Sequence, residues 1–187
     1  MHKLSFLLAG CLLLAGCSTT LVRDEPKAIR IGAAGVCCAV APLAEALLER
    51  RGVTVHAIQG TWRDRVFAAE CVTKGEPGSF TAIFLAPQMR LATLTVTPPH
   101  KLTFDRAHQI PTAFEPEYAL FDLSVVNLPS DVLRRALGAD FTVVETATKR
   151  TVSSAGVTLA VRTLLADGTV RYENLALGYA YTLKEVK

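Results

Sequence analysis

From residue 39 onward, apolar and polar positions alternate in two different rhythms. Over 39–51, Val40, Leu43, Ala44, Leu47 and Leu48 recur at helical spacing, with Pro42 in the first turn and Gly52 beyond the last, which predicts an amphipathic helix. A two-residue period then predicts strands over 53–62, 65–73, 80–86, 90–97 and 101–105. The connections at 61–64, 75–79 and 87–89 have hairpin length. Parallel crossovers need a dozen or more residues, so these strands form an antiparallel meander.

Pro98-Pro99 breaks the strand rhythm, and Pro111, Pro116 and Pro129 punctuate the middle of the chain. Tyr118, Phe121, Leu123, Val125 and Val126 predict a helix over 117–126, and Ser130 as N-cap with Gly138 as stop predicts another over 130–137. Strands resume over 141–146, 149–153, 157–164, 170–174 and 179–186, with Asp167-Gly168 as a hairpin signal. The order predicts a mainly β (α+β) chain: a curved, antiparallel, half-open β-barrel of about ten strands with an N-terminal helix and a mid-chain two-helix lid, because one sheet of that size curls or closes.

Ahead of residue 39 the chain reads differently. Lys3 precedes an apolar stretch, 4–14, too short to span a bilayer, which is the pattern of a signal peptide. It ends in Leu14-Ala15-Gly16-Cys17, which resembles the lipobox of bacterial lipoproteins, where the cysteine sulfur takes a diacylglyceryl group. Leu8-Ala9-Gly10-Cys11 has the same pattern but would leave an apolar core of only 4–9. The expected organisation is a signal peptide over 1–16, acylated Cys17 with a solvated tether over 17–38, and one domain over 39–187. Ser18 stands where an aspartate would retain a lipoprotein at the inner membrane, so the resemblance implies an anchor on the periplasmic face of the outer membrane of a Gram-negative cell.

Composition narrows the partners. The 187 residues carry a formal charge of +3, or +2 once Lys3 leaves with the signal, and no dense basic block or basic-aromatic stripe points to nucleic acid. Arg50-Arg51 and Arg134-Arg135 read as the last turns of helices. Three cysteines remain after Cys17 in an oxidising compartment: a disulfide from Cys71 to Cys37 or Cys38, with Cys38–Cys71 the candidate pair, and three buried thiols are equal alternatives.

Catalytic chemistry has no visible footing. No Ser or Cys stands in a nucleophile motif with His and a carboxylate, and no glycine-rich phosphate loop or spaced Cys/His zinc pattern occurs, so neither enzyme activity, cofactor nor metal is expected. His100 and His108, near Asp105 and Arg106, read as a solvated edge; Glu115 and Glu117 read as partners of a helix dipole. Arg63, Asp64 and Arg65 beside Trp62 read as a charged hairpin tip.

The order of elements, the tight turn Ala86-Pro87-Gln88-Met89 and the run from Leu120 through Pro129 into 131–137 resemble the outer-membrane lipoproteins similar to the receptor LolB and its soluble partner LolA. Leu85-Ala86-Pro87-Gln88, Pro116-Glu117-Tyr118 and Leu128-Pro129 look closer to an uncharacterised family of LolB-like lipoproteins associated with lipid or aryl-polyene biosynthesis. The resemblance implies an apolar half-barrel interior that binds or transfers an acyl chain or a lipoprotein, with a periplasmic carrier as a further partner. Its lining candidates are Trp62, Phe67, Phe80, Ala82, Phe84, Leu94 and Val96 on strands, and Tyr118 and Phe121 on the lid. Gln88 and Met89 occupy the loop where LolB presents a leucine to the membrane, and Gln88 departs from that pattern. The alternative is a non-catalytic lipoprotein whose filled barrel scaffolds protein partners.

Overall fold

The computed structural model describes residues 18–31, 35–62, 65–108 and 115–186. The expected signal peptide over 1–16 and Cys17 lie outside that set, as do Arg63 and Asp64 and the side chains of Trp62 and Arg65. No helix among the described residues is long and apolar enough to cross a membrane.

The stretch expected to be a solvated tether is structured instead. It contains strands β1 (Ser18–Arg23), β2 (Ile29–Ile31) and β3 (Val36–Cys38), the last two forming a small hairpin of their own. Its polar composition misled because β1 is an edge strand, with one side in solvent, and Arg23 is tied to residues far along the chain. Helix α1 (Ala41–Leu48) comes next; it is shorter than 39–51, closed by the Glu49 N–H on the Ala46 carbonyl and the Arg50 N–H on the Leu47 carbonyl.

The expected meander is present as β4 (Gly52–Trp62), β5 (Arg65–Glu76), β6 (Ser79–Ala86), β7 (Met89–Thr97) and β8 (Lys101–Ala107). Next come α2 (Pro116–Asn127) and α3 (Ser130–Leu137), then β9 (Thr142–Glu145), β10 (Lys149–Ser154), β11 (Val157–Leu164), β12 (Val170–Asn174) and β13 (Tyr179–Glu185). Ser130 is the first helical residue of α3 rather than its cap; Pro129 holds that position without a side-chain hydrogen bond. Glycine past the last turn, Gly138 at φ 80°, ends α3 as expected.

All of the strands except β2 and β3 join one antiparallel sheet of 11 strands, ordered β1-β8-β7-β6-β5-β4-β13-β12-β11-β10-β9. The sheet is not closed: β1 and β9 are its edges. The central seam is the β4–β13 pair, which joins the first meander to the second through Trp62↔Tyr179, Gly60↔Tyr181 and Ile58↔Leu183.

Directly opposed residues on neighbouring strands share a face, so the register defines rows of side chains. Two rows on the helix-covered face of the first half run Thr73, Ala82, Leu94, Phe104 and Gly75, Phe80, Val96, Leu102. Every one of these is buried, and α1 packs over β5 to β7 with Leu43 and Leu47 fully covered. Each such Phe or Leu contributes about 1.5–3 kcal/mol by leaving water. Gly75 is required there, since a Cβ would lie 2.3 Å from the Arg50 carbonyl oxygen.

Candidate functional site

Helix α2 is buried almost all round, as its unbroken run of covered residues from Leu120 to Val125 shows, and polar contacts rather than an apolar stripe fix its place. At its N-terminus Arg23 of β1 pairs with Glu115 at 2.6 Å and with the fully buried Glu117, which also accepts the Lys27 N–H at 3.1 Å. These carboxylates therefore do more than complement the helix dipole: they hold the edge strand to the helix. At its C-terminus the buried Arg150 of β10 donates to the carbonyls of Val125 and Leu128, both at 2.7 Å, and to Glu145 at 2.9 Å. Arg50 donates to the Asn127 carbonyl at 2.8 Å.

Mid-helix, Asp122 is the polar centre of the second half. Its carboxylate accepts hydrogen bonds from Tyr172 Oη at 2.5 Å, Asn174 Nδ2 at 3.0 Å and Tyr179 Oη. Burial pushes the carboxyl up to about 6, against the three hydrogen bonds that favour its ionised form. Burial and the neighbouring carboxylate hold the Tyr172 and Tyr179 phenols well above their ordinary value. Asn174 completes the frame by accepting the Leu177 N–H at 3.0 Å, which pins the β12–β13 turn. Alternation along β12 and β13 places Tyr172 and Asn174, and Tyr179 and Tyr181, on the helix-covered face.

One row crosses the whole second half: Phe67, Gly60, Tyr181, Tyr172, Arg162, Arg150 and Glu145 stand opposite one another from β5 to β9. Its first members are aromatic and only partly covered. Tyr181 lies 5.0 Å from Tyr172 and 6.4 Å from Tyr179, ring centre to ring centre, the latter pair nearly parallel at 14°. Gly60 makes room for this, because a Cβ there would sit 2.7 Å from Phe67 Cζ and 2.6 Å from the Ala180 carbonyl oxygen. Phe67 thus lies across Gly60 toward Tyr181, at 38% exposure.

The structure divides the nine lining candidates. Phe80, Ala82, Leu94, Val96 and Phe121 are fully packed in the core, so they fill the interior rather than line an opening. Tyr118 turns away to donate to the Arg30 carbonyl at 3.1 Å, beside the β2–β3 hairpin. Phe84 and Phe67 remain partly exposed, and the side chain of Trp62 lies outside the described residues. Pro87 and Gln88 form the β6–β7 turn and Met89 opens β7: Gln88 takes φ 68°, a position glycine favours, while Met89 is exposed.

Cys37, Cys38 and Cys71 are free thiols, so the candidate Cys38–Cys71 disulfide is not formed. The reason is packing: Cys38 and Cys71 behave as small core hydrophobes, and burial raises each thiol to about 12. His100 meets Glu45 at 3.3 Å. Among the described residues no group of three His, Cys, Asp or Glu side chains converges as a metal site would require.

Periodicity alone does not single out Asp122 and its tyrosines, yet the sequence holds a signal for them. A lone carboxylate inside Leu120-Phe121-Asp122-Leu123 must find donors if it is buried, and Tyr172, Asn174 and Tyr179 are the donors on alternating strand positions.

Residues 54–187 match the family model described as "Protein of unknown function (DUF3261)". The chain belongs to the DUF3261 family. The matched region begins inside β4 and holds β5 to β13, α2 and α3, so the aromatic row, Asp122 and Arg150 all lie within the DUF3261 domain. Arg23 and α1, which complete the packing around α2, lie ahead of it. No curated protein matches the sequence.

Proposed function

We propose that this protein is a non-catalytic lipoprotein, anchored through acylated Cys17 to the periplasmic face of the outer membrane, that binds or transfers an acyl chain on a curved, half-open barrel. The observation that carries the reading is the partly exposed aromatic row at Phe67, Gly60 and Tyr181, with Tyr179 stacked beside Tyr181. An acyl chain offers no hydrogen bonds and asks only for dry, weakly directional surface, which flat rings over a glycine provide. The lipobox-like Leu14-Ala15-Gly16-Cys17 and the resemblance to LolB-like lipoproteins support the same reading, with a periplasmic carrier as donor or acceptor.

Native mass spectrometry of the chain purified gently from its own host tests it. A co-purifying acyl species is expected, lost in Phe67→Asp while the unfolding midpoint stays within the range of a surface change. A ligand-free protein that also fails to displace a fluorescent fatty-acid probe would overturn acyl binding. One observation favours the alternative, a scaffold for protein partners: Phe80, Ala82, Leu94 and Val96 are all buried within the first half. A ligand-free result moves the assignment to that role.

A further inference from the structure

The two ends of the large sheet differ in chemistry. One end gathers the start of β1 at Ser18, the β6–β7 turn at Pro87-Gln88, the β4–β5 connection after Trp62, the β10–β11 turn at Ala155-Gly156 and the β12–β13 turn over 175–178. That last turn reads Leu175-Ala176-Leu177-Gly178, and neither Pro87-Gln88 nor Ala155-Gly156 carries a charge. Val66, Met89, Val157, Leu175 and Leu177 are exposed around this end, Val66 at 82% and Leu175 at 53%. Arg90, beside Met89, is paired with Asp105 of β8 at 3.4 Å.

The opposite end also exposes aliphatic side chains, Val22, Val53, Leu164 and Leu165 among them. There they stand among ions of both signs: Asp24, Arg51, Glu76, Lys101, Lys149 and Asp167. Those groups would have to be desolvated before the aliphatics could enter an apolar phase, a cost of several kcal/mol for each ion. The 87–88, 155–156 and 175–178 turns at the Ser18 end carry no ion and impose no such cost.

Position agrees with chemistry. Ser18, the first residue of β1, follows Cys17 directly in the sequence, so no linker separates the sheet from an acyl group on that cysteine. We infer that the Ser18 end of the sheet rests on the lipid bilayer, with the 175–178 turn and Met89 in the boundary between headgroups and acyl chains. The inference rests on Cys17 being the membrane anchor and deepens the proposed acyl-binding role: Phe67 and Tyr179 lie at the same end, so a chain moves between bilayer and aromatic row without crossing water.

Trp62, the only tryptophan, ends β4 at this end and serves as the probe. The full acylated chain is reconstituted in vesicles of phosphatidylethanolamine and phosphatidylglycerol doped with lipid brominated on its acyl chains. The expected result is a blue shift and loss of Trp62 emission, both reversed by the double change Leu175→Asp and Leu177→Asp. A tryptophan placed at the far end, Glu76→Trp in a Trp62→Phe background, keeps its emission. Protein that floats with the vesicles while Trp62 stays unquenched overturns the inference, leaves the anchor standing and assigns the apolar rim to a protein partner. Protein that neither floats nor carries acyl mass on Cys17 overturns the anchor reading and the inference together.

Discussion

The first and second halves of the sheet bury their helices by opposite means. Under α1, the rows from β5 to β8 are apolar, and any side chain of the right volume satisfies them because dispersion and water exclusion have little direction. Around α2, the second half uses Asp122, Tyr172, Asn174, Arg150 and Glu145, each with a named partner at a defined distance. The apolar half supplies bulk stability; the polar half fixes where one helix lies. Buried polar groups of this kind are expensive when a partner is removed and add little when complete, so they specify more than they stabilise.

The largest expected effect tests the apolar half. Phe80→Ala should cost about 3–5 kcal/mol by leaving a cavity under α1, with the same loss at every pH in a urea titration. A smaller loss, or one that varies with pH, would mean that the first half is not closed by packing alone. Arg150→Met should cost a comparable or slightly smaller amount, roughly 3 kcal/mol, because two α2 carbonyls and Glu145 lose their donor at once. A neutral or stabilising result would show that volume, not direction, holds α2.

Next is the pH response of Asp122. Its folded value of about 6 stands above the ordinary 3.8, so the folded state binds the proton more tightly than the unfolded chain. That contribution is fully present below 3.8 and is lost as pH rises toward 6, a fall in stability of about 3 kcal/mol across the window. His56 works the other way: burial holds its imidazole below the ordinary 6.5, so folding loses stability as pH falls through that region. The measurement is therefore a difference. Stability of wild type minus Asp122→Asn, by chemical denaturation from pH 4 to pH 7, should slope downward with pH, since His56 cancels. A flat difference would remove the titrating carboxylate from the account.

Two smaller changes probe the seam and the turn. Gly60→Ala places a methyl group against the Ala180 carbonyl and Phe67, and should cost about 1–3 kcal/mol as an overpacking change while lowering affinity for a fatty-acid probe. Gln88→Gly should stabilise by about 0.5–1 kcal/mol by relieving a positive φ, offset in part by the greater freedom of the unfolded chain. Unchanged probe binding in the first, or destabilisation in the second, would count against these readings.

Sequence periodicity is most informative where contacts are local. The two-residue rhythm of Thr93 to Val96 and the turn signals at Pro87 and Asp167-Gly168 locate their strands to within a few residues, because pairing across a short hairpin is written into neighbouring positions. Ser18-Thr19-Thr20 has no such rhythm: β1 pairs with β8, and Thr20 meets Asp105 across 85 residues. The same kind of distance hides the polar centre of the second half, since Asp122 and Tyr172 are 50 residues apart and read as unrelated polar interruptions. Apolar identity, in turn, does not separate Phe80, which fills the core, from Phe67, which lies open; only the position of α1 over one and not the other decides it.

The attachment of β1 also sets how the domain bears load. Ser18 leads straight into an antiparallel pairing of six residues with β8, and Arg23 at the far end of that strand is clamped by Glu115 and Glu117. A pull along the strand from Ser18 strains all six pairs in shear at once instead of peeling them singly, and the arginine acts as the bolt at the trailing end. Tension arriving through the chain is thus spread across an entire edge and passed into α2, where a slender peptide linker would have stretched and transmitted nothing.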